Sequence, residues 1–162
     1  MSNKSFESFV EGTEALRALY SGAWPCFHDA EVIEMHFWRG HVHPGDWDER
    51  NVFPIVTIKI LILEATQPGA TDAGHDVLAS FRFYDVDHVH IQDFNHNNSI
   101  VALTVTEQPR GTFTGGDPLP PSFLVTIERG FGLVGSFRCS RMEVIAAERA
   151  LKGPLGGPQV SP

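Results

Sequence analysis

The stretch Val56-Thr57-Ile58-Lys59-Ile60-Leu61-Ile62 decides the fold class. Side chains in a strand alternate between faces, so Val56, Ile58, Ile60 and Ile62 share one face, opposite Thr57, Lys59 and Leu61. The wider run from Val52 to Leu63 is interrupted by Thr57 and Lys59 and is too short to span a bilayer. It reads as a strand, and the segments on either side of it keep the same period.

Downstream, the turn-rich Pro68 to Gly74 precedes a second alternating run. There Val77, Ala79, Phe81 and Phe83 lie opposite Ser80, Arg82 and Tyr84. Upstream, Val32, Glu34 and His36 alternate with Ile33, Met35 and Phe37 in a strand that ends near Arg39. Gly40 to Asn51 is a polar loop with Pro44, Gly45 and three acids. Beyond the turn at Asp85 to Asp87, shorter strands are expected around 88–94, 100–106, 123–127, 131–137 and 142–146. Gln108 to Pro121, with three glycines and four prolines, reads as a long loop of the kind that is often functional or mobile.

The first twenty residues differ. Phe6, Phe9, Val10, Leu16, Leu19 and Tyr20 recur at helical spacing, interrupted by Gly12. Thr13 is placed to cap a helix over Glu14 to Tyr20, and Gly22 to stop it. One bent helix or two short ones fit equally. No helix-sized segment separates the later strands, which excludes βαβ units. The expected fold class is therefore α+β: an N-terminal helical segment packed on a mostly antiparallel, curved β-sheet or β-sandwich of about seven or eight strands. Residues 1–150 are expected to form a single domain. Residues 151–162, with three prolines and three glycines, are expected to be a disordered tail.

At 162 residues and 42% apolar content, the chain can fill a core without disulfides or metal. Its net charge of −8 argues against nucleic acid as a ligand, because phosphate binding needs a basic footprint. The acids are concentrated early: residues 1–109 carry a net −10 and residues 110–162 a net +2. Dense groups fall at Asp46, Asp48 and Glu49 and again at Asp85, Asp87 and Asp93. Such a surface steers a basic partner, or simply keeps one face solvated. Residues 1–10 contain neither an apolar core nor twin arginines, so no secretory signal is expected. Cys26 and Cys139, far apart and differently flanked, read as reduced thiols of a cytoplasmic protein.

Three motifs invite chemistry. Gly130-Phe131-Gly132-Leu133-Val134-Gly135 matches a phosphate-binding G-x-G-x-x-G string, but a strand-like run follows it where a helix is required. A glycine-loosened hairpin is expected. His41 with His43, and His88 with His90, each place two imidazoles on one strand face, a geometry suited to joint metal ligation. The first doublet abuts Pro44 and has Trp47 where a cupin-like site would carry glutamate. The second stands among Asp85, Asp87 and Asp93, which account for it as ion pairs. No bound metal or other cofactor is expected, although a metal-dependent enzyme or small-molecule binder using these histidines is the alternative. Cys26, beside His28 and Asp29 in sequence, reads as a packed thiol, since neighbours on an extended segment point apart.

Two further strings read first as structural devices. Trp24-Pro25-Cys26-Phe27-His28-Asp29-Ala30-Glu31-Val32 would cap the core with Trp24 and Phe27 and hold a turn with His28 or Asp29. Phe94-Asn95-His96-Asn97-Asn98-Ser99-Ile100 would form a tight turn with asparagines in left-handed positions. These strings also carry a resemblance. With Phe81 to Val86, Phe94 to Leu103, Phe123 to Gly130 and Phe137 to Cys139, the chain resembles the immunity protein 50 family of bacterial polymorphic-toxin systems over residues 24–146.

The resemblance implies a small cytoplasmic protein that neutralises a cognate toxin by binding it, with no catalysis, cofactor or membrane. Trp24, Phe27, His28, Asp29, Phe94, Asn95 and Asn98, as motif residues, are expected to maintain the fold. Contacts to the toxin are expected from Asp46, Trp47, Asp48, Glu49, Asp85, Asp87 and Phe113, in loops and the acidic surface. A toxin with a basic cleft, such as a nuclease, would complement that charge.

Overall fold

The computed structural model describes residues 5–40, 54–68 and 75–150. The described residues are mostly β-structure in two sheets. The strands are β1 (Val10–Glu11), β2 (Glu31–Trp38), β3 (Ile55–Ile62), β4 (Val77–Tyr84), β5 (Asp87–Gln92), β6 (Ile100–Gln108), β7 (Ser122–Arg129), β8 (Val134–Cys139) and β9 (Arg141–Arg149). One sheet has the order β1-β9-β4-β3-β2 and the other β5-β8-β7-β6. All pairs are antiparallel except β1 with β9.

The alternation in β3 holds along its length. Val56, Ile58, Ile60 and Ile62 are buried, as are Val77, Ala79, Phe81 and Phe83 on β4 in register with them. From the second sheet, Ile100, Val125, Ile127 and Phe137 meet this face. Phe83 and Phe137 touch edge to face, with ring centroids 4.9 Å apart. Each fully buried side chain of this size contributes roughly 1.5–3 kcal/mol relative to exposure.

The sheets are joined by a bent ribbon. β4 passes into β5 through Asp85 and Val86, and β8 passes into β9 through Ser140. β4 pairs with β9 in one sheet and β5 with β8 in the other, so both strands turn the corner together. The Ser140 amide donates to the Tyr84 carbonyl at 2.9 Å and locks the bend. Asp85 and His88 take left-handed φ values of 53° and 49° there. A second junction closes the opposite side. The Val32 amide donates to the Asn98 carbonyl at 3.1 Å, and the Ile100 amide to the Ala30 carbonyl at 2.9 Å.

The N-terminal segment departs from expectation. It forms a 3-10 turn over Phe6–Phe9, the short β1, and one five-residue helix, α1 (Glu14–Ala18). Five residues are less than two turns, too few to cover a sheet, so the expected helical layer is absent among the described residues. Gly12 and β1 account for this: the φ of Gly12 is 67°, and the chain enters the sheet edge beside β9 instead of continuing a helix. The helix ends at Ala18 with Leu19 as its C-cap, short of the expected Tyr20, and Thr13 stands at its start without a side-chain capping bond. The Gly22 amide, beyond the helix end, donates to the Arg17 carbonyl at 2.8 Å. Phe131 was expected within a strand but lies in the β7–β8 turn and is 68% exposed. The expected tail, residues 151–162, lies outside the described residues.

The loop from 109 to 121 is more ordered than its composition implies. Thr112 bridges Pro118, the Phe113 amide donates to the Asp117 carbonyl at 2.7 Å, and the Leu119 amide to the Gly111 carbonyl at 2.9 Å. The glycines and prolines build a small internal turn.

Candidate interaction surface

The Trp24 block closes one end of the core. Trp24 and Phe27 meet at 5.8 Å between ring centroids, and Phe6 stands 5.8 Å from each of Trp24, Phe27 and Phe81. Trp24 and Phe27 thus act on packing. His28 and Asp29 work differently from expectation. Their exposed side chains pair with each other at 3.1 Å, not with the backbone. The turn itself is held by the Asp29 amide on the Ile100 carbonyl, with Asp29 at φ 62°.

The asparagine turn is a hydrogen-bonded device. Buried Asn98 accepts from the Asn95 amide at 2.8 Å and donates to the Asn95 carbonyl at 2.6 Å and the Val32 carbonyl at 3.4 Å. Asn95 accepts from the Asn97 amide at 2.8 Å. The left-handed residue is Asp93, at φ 60°, and not an asparagine, because the side-chain bonds already satisfy the turn. The β7–β8 hairpin docks on it. A Cβ at Gly132 would stand 2.2 Å from the Asn97 carbonyl oxygen, and one at Gly135 2.3 Å from that of His90. The glycine string therefore serves close backbone packing in a hairpin, as expected.

Phe94 is the exception among the motif residues. Its ring is 50% exposed and outside the core. It lines an apolar groove of about 240 Å³ with Met35, Phe37 and Ile91. Sheet order explains the groove. A bulge between Val32 and Glu34 breaks the expected alternation and puts Met35 and Phe37 on the same side as Val32. Because β2 and β5 are the outer strands of their sheets, that core-facing side of β2 emerges uncovered beyond Val32. Phe37 is also 50% exposed, and Val89 on β5 41%. Sequence reasoning missed Met35, Phe37 and Ile91. Their spacing marks a core face, and only the sheet order shows that this face is open.

Asp85 and Asp87 come together at the sheet corner, around a pit of about 10 Å³ shared with Arg110, Ser122, Arg138, Cys139 and Ser140. That volume holds about one water. Asp87 accepts two hydrogen bonds from Arg138, both 2.8 Å, which hold its carboxyl below the usual aspartate range. Asp85 accepts from the Ser140 hydroxyl, and Asp93 pairs with Arg129. Much of this acidity is thus neutralised within the chain. Burial pushes the Cys139 thiol up to about 12, which makes it inert as a nucleophile at neutral pH. Phe113 is 54% exposed at the base of its turn, where its carbonyl accepts from the Gly116 amide at 2.9 Å. Asp46, Trp47, Asp48 and Glu49, and the histidines His41 and His43, lie outside the described residues.

His88 and His90 are exposed on β5, but a register shift between Asp87 and His90 breaks the alternation that would align the two imidazoles. Among the described residues no three His, Cys, Asp or Glu side chains gather as a metal site, and no helix is long and apolar enough to cross a membrane. No family model, no curated protein and no solved structure matches the chain.

Proposed function

We propose that the chain is an immunity protein: a stoichiometric inhibitor that binds a cognate bacterial toxin domain in the cytoplasm and blocks it by contact. The observation that carries this reading is the β2–β5 groove. Met35, Phe37, Ile91 and Phe94 line one apolar groove in which Phe37 and Phe94 are half exposed, and exposed apolar surface gathered in this way is the usual mark of a protein-binding surface. Aromatic anchors such as Phe37 and Phe94 supply affinity in such sites. The net charge of −8 favours a basic toxin domain, with Asp46, Asp48 and Glu49 raising the association rate and Phe113 as a secondary contact. The motif resemblance supports the toxin as the class of partner.

The test is direct binding. The product of the adjacent upstream gene is purified as an inactive toxin domain and titrated with this protein. A 1:1 complex is expected, weakened by roughly 2 kcal/mol or more in the double variant Phe37→Asp/Phe94→Asp, as for a hot-spot pair. An unaltered affinity in that variant moves the interface elsewhere.

A further inference from the structure

On the outer face of the larger sheet, Arg82 stands in register with Thr57 on β3 and with Glu143 on β9. Glu143 is the natural partner for its guanidinium, but its carboxylate is committed elsewhere. It accepts from the Tyr84 hydroxyl at 2.6 Å and lies 3.5 Å from Arg141. Arg141 also stacks over the Tyr84 ring at 3.9 Å and reaches Glu11 at 2.7 Å. Arg82 is left without an ion pair among the described residues. Its Nε is buried and has no acceptor among the described residues. A guanidinium in this state is poised for an anion from outside the chain.

The space in front of it is a cleft of about 330 Å³ lined by His36, Trp38, Ile55, Thr57 and Arg82. This falls in the range of small-ligand sites, about 300–1,000 Å³. Trp38 and Ile55 give an apolar wall, while Thr57 offers a hydroxyl beside the guanidinium. A single fixed cation suits a monoanion, and its planar fork suits a carboxylate. We propose that this cleft binds a small carboxylate with an apolar body, its carboxylate on Arg82 and Thr57 and its body against Ile55. This site is distinct from the β2–β5 groove and does not rest on the inhibitor reading.

The full-length chain, labelled with ¹⁵N, is titrated with benzoate and in parallel with benzamide, following the Arg82 Nε–H resonance. Benzoate should shift that resonance saturably in the millimolar range expected for so small a ligand, and benzamide should not. Arg82→Met, which keeps the packed stem, should weaken benzoate about tenfold or more. Arg82→Lys, which keeps the charge and loses the fork, should also weaken it, and serves if the methionine variant fails to fold. Equal responses to benzoate and benzamide overturn the proposal, as does unchanged affinity in both variants. A response appearing only after Asp46→Asn/Asp48→Asn/Glu49→Gln assigns Arg82 to the chain's own acids and likewise overturns it.

Discussion

Asp87 and Arg138 face each other in register across β5 and β8 and share two parallel hydrogen bonds of 2.8 Å. The pair staples the corner where the ribbon passes from one sheet to the other. It also removes one negative charge from the surface that a basic partner would meet.

The pair sets an acid sensitivity. Asp87 has a lowered pKa because Arg138 hydrogen-bonds its charged form. Its contribution is therefore complete above the ordinary aspartate value of 3.8 and is lost as pH falls through the depressed folded value. Both side chains are about a third exposed or more, so solvent limits the effect to about 0.5–1 kcal/mol. Urea denaturation should show Asp87→Asn less stable than the parent by that amount at pH 7, with the gap closing in strong acid. A gap that persists there would assign the loss to packing.

Phe27 and Phe94 occur in comparable aromatic strings yet should respond oppositely to truncation. Phe27→Ala removes a buried ring from the cluster of Phe6, Trp24 and Phe81 and should cost about 3–5 kcal/mol; Trp24→Ala should fall near the lower end. Phe94→Ala should cost about 0.5 kcal/mol or less, as at a surface position. Chemical denaturation of the three variants checks the contrast.

The asparagine turn and the glycine hairpin should fail together. Asn98→Ala leaves the Asn95 amide without its acceptor and should cost about 2 kcal/mol. Gly132→Ala places a methyl against the Asn97 carbonyl at a left-handed φ of 62° and should cost more than about 1 kcal/mol. Amide exchange of Asn95, Asn97 and Phe131 should accelerate in both variants. Unchanged exchange at Asn95 and Asn97 in Gly132→Ala would show that the hairpin does not brace the turn.

Charge reversal at Asp46, Asp48 and Glu49 to lysine should slow association with a basic toxin by about tenfold at low salt and flatten the salt dependence. Dissociation should change far less. Stopped-flow binding at two ionic strengths measures both. An unchanged association rate would make these acids a solubility feature only.

The strands were legible because burial on one side imposes a period of two, plainest in Val56 to Ile62. The N-terminal helix is shorter than the spacing of its apolar residues implies. Helical spacing at Phe6, Phe9 and Leu16 also fits a chain that tucks side chains into a core from short turns, and β1 at two residues is too brief to show any period. The glycine string was legible because its downstream context was strand-like. The groove was hidden for a different reason: Met35 and Phe37 carry a core pattern, and the openness of that face depends on which strands end the sheets. Arg82 carries no sequence signal, since its lack of an ion pair among the described residues follows from Tyr84 and Arg141 drawing Glu143 away.

The most direct measurement is growth. The product of the gene immediately upstream is expressed in a sensitive bacterium alone, with this protein, and with its Phe37→Asp/Phe94→Asp variant. Growth should stop in the first case, recover in the second with the two proteins isolated as a 1:1 complex, and fail to recover fully in the third. An upstream product that is harmless alone, or one whose toxicity persists beside abundant, folded wild-type protein, would contradict the inhibitor reading.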